Sequence, residues 1–412
     1  MALRLFAPRT EHFQRLSGWA RLSWRSYRGG PAAEKLGGAY AVDLRSDVLT
    51  KPTTAMKEAM MEATMGDDVF GEDVTINKLQ STVAEMFNKE AALFVPSGTM
   101  GNLISVLSHC HSRGLEVLLG HQSHLIIYEQ GGMATVGGVH PRTIPNLSDG
   151  TFDLEVVKDY IRPLDDSHQP FTGLICVENT HNVCGGTVLP LDFLAELRKI
   201  ADDHKLPVHM DGARMMNSAA ALDVAPSVIL ENVDSVSMCF SKGLGAPVGS
   251  IISGSAEFIA RAVRLRKVLG GGMRQPGMLA AAALFTLDGL IPRLQTDHRH
   301  ARMIAEAVMK ESSGLVHVDL ERVQTNIVMI EMLKEGLDAQ QFCDRLSQVT
   351  MEEEKEIGEP IVVLSYPSTK RVTRLVAHSS VDTKDILAAI AKITYVLHEL
   401  ANQEAESKAS HG

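Results

Sequence analysis

Short apolar runs alternate with amphipathic segments along most of this sequence, and this alternation restricts the fold more than any other feature. Apolar runs at residues 92–96, 115–119 and 172–177 predict buried strands, and residues 191–204 predict a helix between two of the strands. Strands that alternate with helices form a mostly parallel sheet with helices on its faces. The sequence therefore predicts an α/β domain.

Two apolar runs end close to charged residues. The run at 206–210 ends at Asp211, and a later run ends at Phe240, shortly before Lys242. The carboxyl ends of parallel strands lie at one edge of the sheet, where ligands bind. An ordinary explanation exists, because Asp211 suits the position before a helix and a turn lysine can point into water. Alternatively, Lys242 forms a Schiff base with pyridoxal phosphate and Asp211 binds the ring nitrogen of that cofactor.

A third segment favours the cofactor hypothesis. Ser97, Gly98 and Thr99 lie between a predicted strand and an apolar helix. Hydroxyl groups and free N–H groups at a helix N-terminus bind phosphate. The segment lacks the Gly-Lys-Ser/Thr ending of a Walker loop, and alone it also fits an ordinary strand–helix turn. Together with the Asp–Lys pair it supplies the third anchor that pyridoxal phosphate needs.

Composition excludes several other classes of protein. The chain has 412 residues, of which 45% are hydrophobic, and this length suffices for two domains. A formal net charge of −10 argues against a nucleic-acid partner, and no apolar run is long enough to span a membrane. The five cysteines are scattered, which predicts reduced core residues of an intracellular enzyme.

The chain divides into four predicted parts. Residues 1–38 are rich in arginine and poor in acids, which is typical of a mitochondrial transit peptide and equally compatible with a non-functional extension in an otherwise cytoplasmic protein. Residues 39–292 form the large α/β domain, 293–402 a smaller α+β domain, and 403–412 a flexible tail. In the smaller domain we predict a solvated loop at 351–356 and a last helix at 383–400.

Three further polar features are candidates for the site. The histidines before residue 125 do not have zinc-site spacing, so no metal is predicted, and one of them suits an aromatic plate against the cofactor ring. His181 lies in a polar run after a strand, where a general base can sit. Arg374 lies in a strand-like run, where it pairs with a substrate carboxylate or, more ordinarily, with an internal acid.

With these segments assembled, the chain resembles the L-threonine aldolases among the fold-type I pyridoxal-phosphate enzymes. The matching segments follow one another in order: DLRSD (43–47), FVPSGTMGN (94–102), ENTHN (178–182), HMDGAR (209–214), SKGLGAPVGS (241–250) and GGGMRQ (270–275). The departures are small. Met210 stands where the family often has Val, and Ala377 where it usually has Thr.

The resemblance implies a fold, a cofactor, a reaction and a set of site residues. It implies cofactor contacts by Lys242 (Schiff base), Asp211 (ring nitrogen), Arg214 (ring hydroxyl), Ser97, Gly98 and Thr99 (phosphate, with Arg274 from a partner subunit) and His124 (stacking on the ring). It implies substrate contacts by Ser46 and Arg374 (carboxylate) and His181 (the β-hydroxyl side). The implied assembly is a homotetramer, a dimer of dimers.

The implied reaction is retro-aldol cleavage of L-threonine or L-allo-threonine to glycine and acetaldehyde. A base must remove the β-hydroxyl proton, and the sequence does not choose between His181 and His124. Two alternatives stay open: another reaction on the same fold, β-elimination or transamination, and a catalytically silent protein that binds pyridoxal phosphate.

Overall fold

The computed structural model describes residues 38–162 and 165–411. The predicted N-terminal extension lies, except for residue 38, outside the described residues. The strands of the described part are β1 (Tyr40–Asp43), β2 (Ala91–Val95), β3 (Leu115–Gly120), β4 (His140–Ile144), β5 (Phe171–Glu178), β6 (Val208–Asp211), β7 (Ser235–Cys239), β8 (Ser250–Gly254), β9 (Val316–His317), β10 (Ile327–Met332), β11 (Ile361–Leu364), β12 (Tyr366–Pro367) and β13 (Val372–Val376).

The helices alternate with these strands, as the sequence pattern predicts. They are α1 (Thr54–Met61), α2 (Val74–Phe87), α3 (Gly98–His109), α4 (His124–Ile127), α5 (Gly132–Thr135), α6 (Leu154–Tyr160), α7 (Leu191–Asp203), α8 (Met215–Leu222), α9 (Pro226–Leu230), α10 (Ala256–Val268), α11 (Gly277–Leu287), α12 (Leu290–Glu311), α13 (Ala339–Leu346), α14 (Met351–Ile357) and α15 (Thr383–His411). Short 3-10 helices lie at Asp47–Leu49 and Asp68–Phe70.

The central sheet has seven strands in the order β2-β8-β7-β6-β5-β3-β4. All neighbouring strands are parallel except for β8, which is antiparallel to both β2 and β7. The predicted α/β fold with a mostly parallel sheet is therefore confirmed. Parallel strands place their carboxyl ends at one edge, so β5, β6 and β7 deliver their last residues to the same place.

Helices cover both faces of this sheet. In β3, Val117 and Leu119 pack in one apolar cluster, whereas Leu118 packs in the main core on the opposite face. This separation follows from strand geometry, because successive side chains point to opposite faces. A strand buried on both sides is a continuous apolar run, which is why the central strands were recognisable in the sequence.

The C-terminal region contains a four-stranded sheet in the order β12-β13-β10-β9 and a separate parallel pair, β1 with β11. β1 occupies Tyr40–Asp43, and the mostly polar residues 44–47 that follow it do not belong to a strand. Val42 and Leu44 are buried in the core of the C-terminal region, while the intervening Asp43 pairs with Arg45. The start of the described chain thus packs with its end, although the division at residue 292 stays a prediction.

Two predictions about the C-terminal region are wrong in detail. Residues 351–356 form helix α14 and not a loop, because Thr350 caps its first turn and Glu353 is buried against Lys392. The last helix does not end at residue 400 but continues to His411. The helix at 351–356 depends on the Glu353–Lys392 contact, which is distant in sequence and overrides local polarity.

Within residues 38–162 and 165–411, no single helix combines the length and apolar composition needed to cross a membrane. Helices α11 and α12, which meet at a bend of 69°, pass that test only when taken together.

Candidate active site

A cavity of about 410 Å³ lies at the carboxyl edge of the central sheet. Its lining brings together residues from both parts of the chain: Ser46, Val48, Thr99, His124, Tyr128, Asn182, Arg214, Lys242, Tyr366, Ser368 and Arg374. Six of the site residues predicted from the sequence belong to this lining. They are Ser46, Thr99, His124, Arg214, Lys242 and Arg374.

Lys242 and Asp211 lie at the carboxyl ends of two neighbouring parallel strands, as the sequence pattern predicts. Asp211 is the last residue of β6, and Lys242 lies in the turn that follows β7. The turn is closed by a hydrogen bond of 2.8 Å from the N–H of Gly245 to the carbonyl of Lys242, and Gly245 has a φ of 87° that favours glycine. The geometry therefore presents an amine and a carboxylate at one sheet edge.

Asp211 does not cap the helix that follows it. The residue before α8 is Arg214, and its side chain makes no capping hydrogen bond. Instead, Asp211 is buried, and its Oδ2 accepts a hydrogen bond of 3.0 Å from Asn102 Nδ2. Its Oδ1 accepts a hydrogen bond of 3.2 Å from the N–H of Ala213 in the turn before α8, so Asp211 stabilises that turn but does not cap the helix.

The N-terminus of α3 is close against β7. Ser97 caps this helix by accepting a hydrogen bond of 3.2 Å from the N–H of Met100. A Cβ added to Gly98 would lie 2.7 Å from Cys239 Sγ, so only glycine fits there. The first N–H groups of a helix have no partner inside the helix, and they attract anions. This end of α3 can therefore bind a phosphate.

His124 is held in place by two acids. Its Nδ1 lies 2.8 Å from Glu129 Oε1, and its backbone N–H donates to Glu178 Oε2 at 2.6 Å. Burial by itself lowers the pKa of His124, but the hydrogen bond to Glu129 and the negative charges of Asp211 and Glu129 together outweigh it and raise that pKa above its ordinary value. Because Nδ1 is bonded to a carboxylate, Nε2 is the nitrogen left to accept a proton.

One imidazole and two carboxylates lie close to one another around Asn102. Ligand atoms of His124, Glu129 and Asp211 lie within 4.8 Å, which is a spacing that a metal ion could use. The amide nitrogen of Asn102 donates to both carboxylates, at 2.9 Å to Glu129 and 3.0 Å to Asp211. These hydrogen bonds account for the clustering without a cation.

Two guanidinium groups lie on the opposite side of the lining. Arg214 forms two hydrogen bonds of 2.7 Å with the fully buried carboxylate of Asp47. Burial by itself raises the pKa of Asp47, but Arg214, with Lys242 and Arg374 nearby, lowers it well below the ordinary value. Asp47 is therefore an anion that compensates for the cations of the site.

Arg374 extends from β13 toward Asn182. Its NH1 donates to Asn182 Oδ1 at 3.0 Å, and its guanidinium carbon lies 5.2 Å from the centre of the Tyr366 ring. Arg214 donates to the same Asn182 oxygen at 3.4 Å. The amide thus positions both cations, and Arg374 presents a planar donor group to the cavity.

Five predicted residues do not belong to this lining. Ser97, Gly98 and Asp211 lie at the sheet edge, whereas His181 and Arg274 have other partners. His181 is buried, its Nδ1 accepts from the N–H of Cys184 at 3.3 Å, and its ring packs beneath Gly150. Arg274 instead forms an ion pair of 2.9 Å with Asp67 on the protein surface.

The sequence analysis assigned no role to four residues that shape the site. Asp47, Asn102 and Asn182 stand inside the segments that carry the resemblance, so the motifs contained them without indicating what they contact. Glu129 lies in a short loop after His124, and nothing in the local pattern indicates that its side chain returns to the imidazole.

Comparisons with known proteins find relatives of this chain over most of its length. The family model described as "Beta-eliminating lyase" matches residues 43–335. The chain is 46% identical over 357 residues to the "Probable low-specificity L-threonine aldolase 2" of Arabidopsis thaliana, covering 85% of this chain and 97% of that one. It is 43% identical over 298 residues to the "Low specificity L-threonine aldolase" of Escherichia coli K12, covering 72% and 86%.

A solved structure shares the fold. The crystal structure of a putative L-allo-threonine aldolase from Listeria monocytogenes has a TM-score of 0.69 with this chain at 18% identity, and the match covers 92% of this chain and 99% of that one.

Proposed function

Because the chain belongs to the β-eliminating lyase family and, within it, to the low-specificity L-threonine aldolases, we propose that it cleaves L-threonine and L-allo-threonine to glycine and acetaldehyde. The observation that carries this proposal is the convergence of Lys242, Asp211 and the N-terminus of α3 at one sheet edge, beside a cavity that Arg374 also lines.

The residues at this edge fit pyridoxal phosphate, the cofactor of this class of lyase. Lys242 supplies an amine for the aldehyde, and Asp211 a buried carboxylate for the ring nitrogen. The α3 N-terminus, where a Cβ on Gly98 would collide with Cys239, leaves its N–H groups open to a phosphate. When bound, the cofactor withdraws the electrons that remain at Cα after the Cα–Cβ bond breaks.

The remaining anchors surround the ring position. Ser97 and Thr99 add hydroxyl groups to the phosphate site, His124 supplies an aromatic face, and Arg214 lies toward the ring hydroxyl. Arg214 is supported in this role by its two hydrogen bonds to Asp47, which fix the guanidinium plane.

Arg374 and Ser46 bind the substrate carboxylate in this proposal. A guanidinium binds a carboxylate through two parallel hydrogen bonds, so the amino acid is held in one orientation. Asn182 and Tyr366 hold the Arg374 side chain before the substrate arrives, which reduces the entropy lost on binding. That orientation decides which bond at Cα is cleaved.

His124 is the stronger candidate for the base that accepts the β-hydroxyl proton. It lines the cavity, and the bond from Nδ1 to Glu129 leaves Nε2 as the accepting nitrogen. His181, the other candidate, is only 1% exposed and does not line the cavity, so it acts on the substrate only if the loop around it moves. A comparison of His124→Phe with His181→Phe separates the two, since the base variant loses kcat more than KM changes.

The decisive experiment uses the purified protein with pyridoxal phosphate. L-threonine and L-allo-threonine are added separately, acetaldehyde is followed through coupled oxidation of NADH, and glycine is measured at the end. We expect equimolar glycine and acetaldehyde, and no turnover in Lys242→Ala. A keto acid in place of acetaldehyde would favour β-elimination or transamination, and cofactor binding without any cleavage would favour a silent binding protein.

A second copy of the chain completes the proposed assembly. Five exposed apolar side chains lie along α1 and the segment that follows it: Met61, Met65, Val69, Phe70 and Val74. Phe70 is 70% exposed, and the Arg274 guanidinium carbon lies 5.5 Å from its ring centre. An apolar patch of this kind marks a protein–protein interface. In this proposal Arg274, which lies beside the patch, contributes to the phosphate site of the other copy.

The homotetramer is tested by light scattering after gel filtration. Phe70→Glu should reduce the oligomer, whereas an exposed apolar residue elsewhere, as in Leu387→Glu, should not. An unchanged mass for Phe70→Glu would contradict this interface.

The proposal of a mitochondrial location is supported by the arginine-rich composition of residues 1–38 alone. Fusion of these residues to a fluorescent protein tests it: mitochondrial fluorescence is expected, and diffuse fluorescence would contradict it.

A further inference from the structure

A chain of buried hydrogen bonds leads from Asp211 away from the cavity. Asn102 Nδ2 lies 3.0 Å from Asp211 Oδ2, and Asn102 Oδ1 lies 3.3 Å from His209 Nε2. His209 Nδ1 lies 2.9 Å from Ser235 Oγ, which in turn lies 2.7 Å from His109 Nε2. Asn102, His209 and Ser235 are each at most 2% exposed.

The sequence places these groups on two facing surfaces. His209 and Asp211 are two residues apart in β6, so their side chains lie on the same face of the sheet. Ser235 is the register partner of His209 in β7. Asn102 and His109 are both on α3, two helical turns apart and therefore on one side of it. The helix whose N-terminus forms the phosphate site thus also contacts Asp211 with its first turns.

Every hydrogen bond in this chain has a defined direction. Because Asn102 donates to the carboxylates of both Glu129 and Asp211, its nitrogen faces the acids and its oxygen faces His209. His209 Nε2 must therefore carry a hydrogen. Burial and the neighbouring His109 lower the pKa of His209 to about 3, so the ring is neutral and Nδ1 is an acceptor.

The hydrogen bonds at the His109 end of this hydrogen-bond chain have defined directions as well. Since His209 Nδ1 accepts, the Ser235 hydroxyl donates to it, and the Ser235 oxygen accepts from His109 Nε2. Burial lowers the pKa of His109 to about 4, so this ring is neutral as well. All donors point toward Asp211. Hydrogen bonds that align in one direction polarise one another, and donors directed at a carboxylate favour its ionised form.

We propose that Asn102, His209 and Ser235 are positioning residues that hold the Asp211 carboxylate in the orientation that binds the ring nitrogen of the cofactor, and thereby keep that nitrogen protonated. This inference rests on the proposed function only in requiring that the protein binds pyridoxal phosphate. None of the three residues lines the cavity. They act through Asp211, and their effect is on the proton affinity of the ring nitrogen.

The test measures that proton affinity directly. The protein is loaded with pyridoxal phosphate labelled with nitrogen-15 in the ring, and the nitrogen chemical shift is followed against pH. Asn102→Leu removes the donor to Asp211, and we expect the proton affinity of the ring nitrogen to fall by about 10- to 100-fold. Ser235→Ala interrupts the chain farther away, and a smaller fall of about 2- to 10-fold is expected.

Ser105→Ala is the matched control for Ser235→Ala. Ser105 is an equally buried serine on α3, but its hydroxyl donates to the carbonyl of Gly101 and takes no part in the hydrogen-bond chain that leads to Asp211. Its nitrogen titration should equal that of the unmodified protein. If Asn102→Leu does not fold, the comparison of the two serine variants decides alone.

The possible outcomes are distinct. A graded fall, larger for Asn102→Leu than for Ser235→Ala and absent in Ser105→Ala, supports the role of the chain. Titrations that are identical in all folded variants overturn it while leaving the proposed aldolase reaction intact. Failure of the unmodified protein to bind the cofactor overturns both.

Discussion

Asp43 and Asp47 are close in sequence and each pairs with an arginine, but the two pairs differ in burial. They therefore give the sharpest test of what holds the site together. Asp47 is fully buried and accepts two hydrogen bonds of 2.7 Å from Arg214. Asp43 contacts Arg45 at 2.6 and 2.9 Å, but both side chains are 17–18% exposed. The substitutions Asp47→Asn and Asp43→Asn remove the same charge from the two pairs.

We expect Asp47→Asn to lower the free energy of unfolding by about 3–5 kcal/mol, because it leaves the buried Arg214 cation without its counter-charge. Asp43→Asn should cost at most about 1 kcal/mol, since water screens a partly exposed pair. The two free energies of unfolding are measured by urea denaturation of the cofactor-loaded protein at neutral pH. Costs within about 1 kcal/mol of each other would refute the view that burial makes the Asp47 pair essential.

The pH dependence provides a second check on the same residue. The pKa of Asp47 is lowered in the folded protein, so its contribution to stability is present above the ordinary carboxyl pKa of 3.8 and is lost as the pH falls below it. The difference in stability between the unmodified protein and Asp47→Asn should therefore shrink in acid. A constant difference from pH 7 to pH 3 would show that the loss comes from packing and not from charge.

Three further predictions concern single contacts. Glu129→Gln keeps an acceptor oxygen but removes the negative charge that helps to raise the pKa of His124, so the acid limb of the kcat/KM profile should move to lower pH and the plateau should fall by about tenfold. Burial raises the pKa of Asp297 to about 7, so the stability that this side chain contributes is present below about pH 4 and is lost as the pH rises through 7. At pH 8, thermal unfolding should therefore show that Asp297→Asn is more stable than the unmodified protein, by up to about 4 kcal/mol. Gly98→Ala places a Cβ 2.7 Å from Cys239 Sγ and should weaken cofactor binding roughly tenfold in equilibrium dialysis.

Each of these three predictions has a control variant or a result that would contradict it. An unchanged acid limb in Glu129→Gln would exclude His124 as the titrating base. The exposed Asp288 is the control for Asp297, and Asp288→Asn should not alter the pH dependence. Gly132 is the control for Gly98, because a Cβ there meets only Leu103 at 3.8 Å, an ordinary contact.

The central sheet was predictable because its strands are buried on both faces. A strand such as β5 is then a continuous apolar run, and the polar residue at its end is conspicuous. Asp211 and Lys242 were found for this reason, since each follows such a run at the sheet edge. The capped start of α3 was predictable because a helix cap is a local feature of the sequence.

Contacts between distant segments left no such pattern. Asp47 was hidden in a polar segment, because its partner Arg214 is far along the chain. Glu353 belongs to an acidic run that predicts a loop, yet it is buried with Lys392. Burial of a charge depends on a partner that only the folded chain supplies, so sequence polarity alone misplaces these residues.

The pairing of β1 with β11 has a consequence for how the protein is made. These strands come from opposite ends of the described chain, and β1 is followed directly by Ser46 and Asp47. During synthesis the edge of β1 must wait for almost the entire polypeptide to leave the ribosome before its partner exists. Contacts so far apart in sequence form late and slowly. A chain released before β11 would also lack Tyr366, Ser368 and Arg374, so the cavity at the carboxyl edge of the central sheet would lose part of its lining.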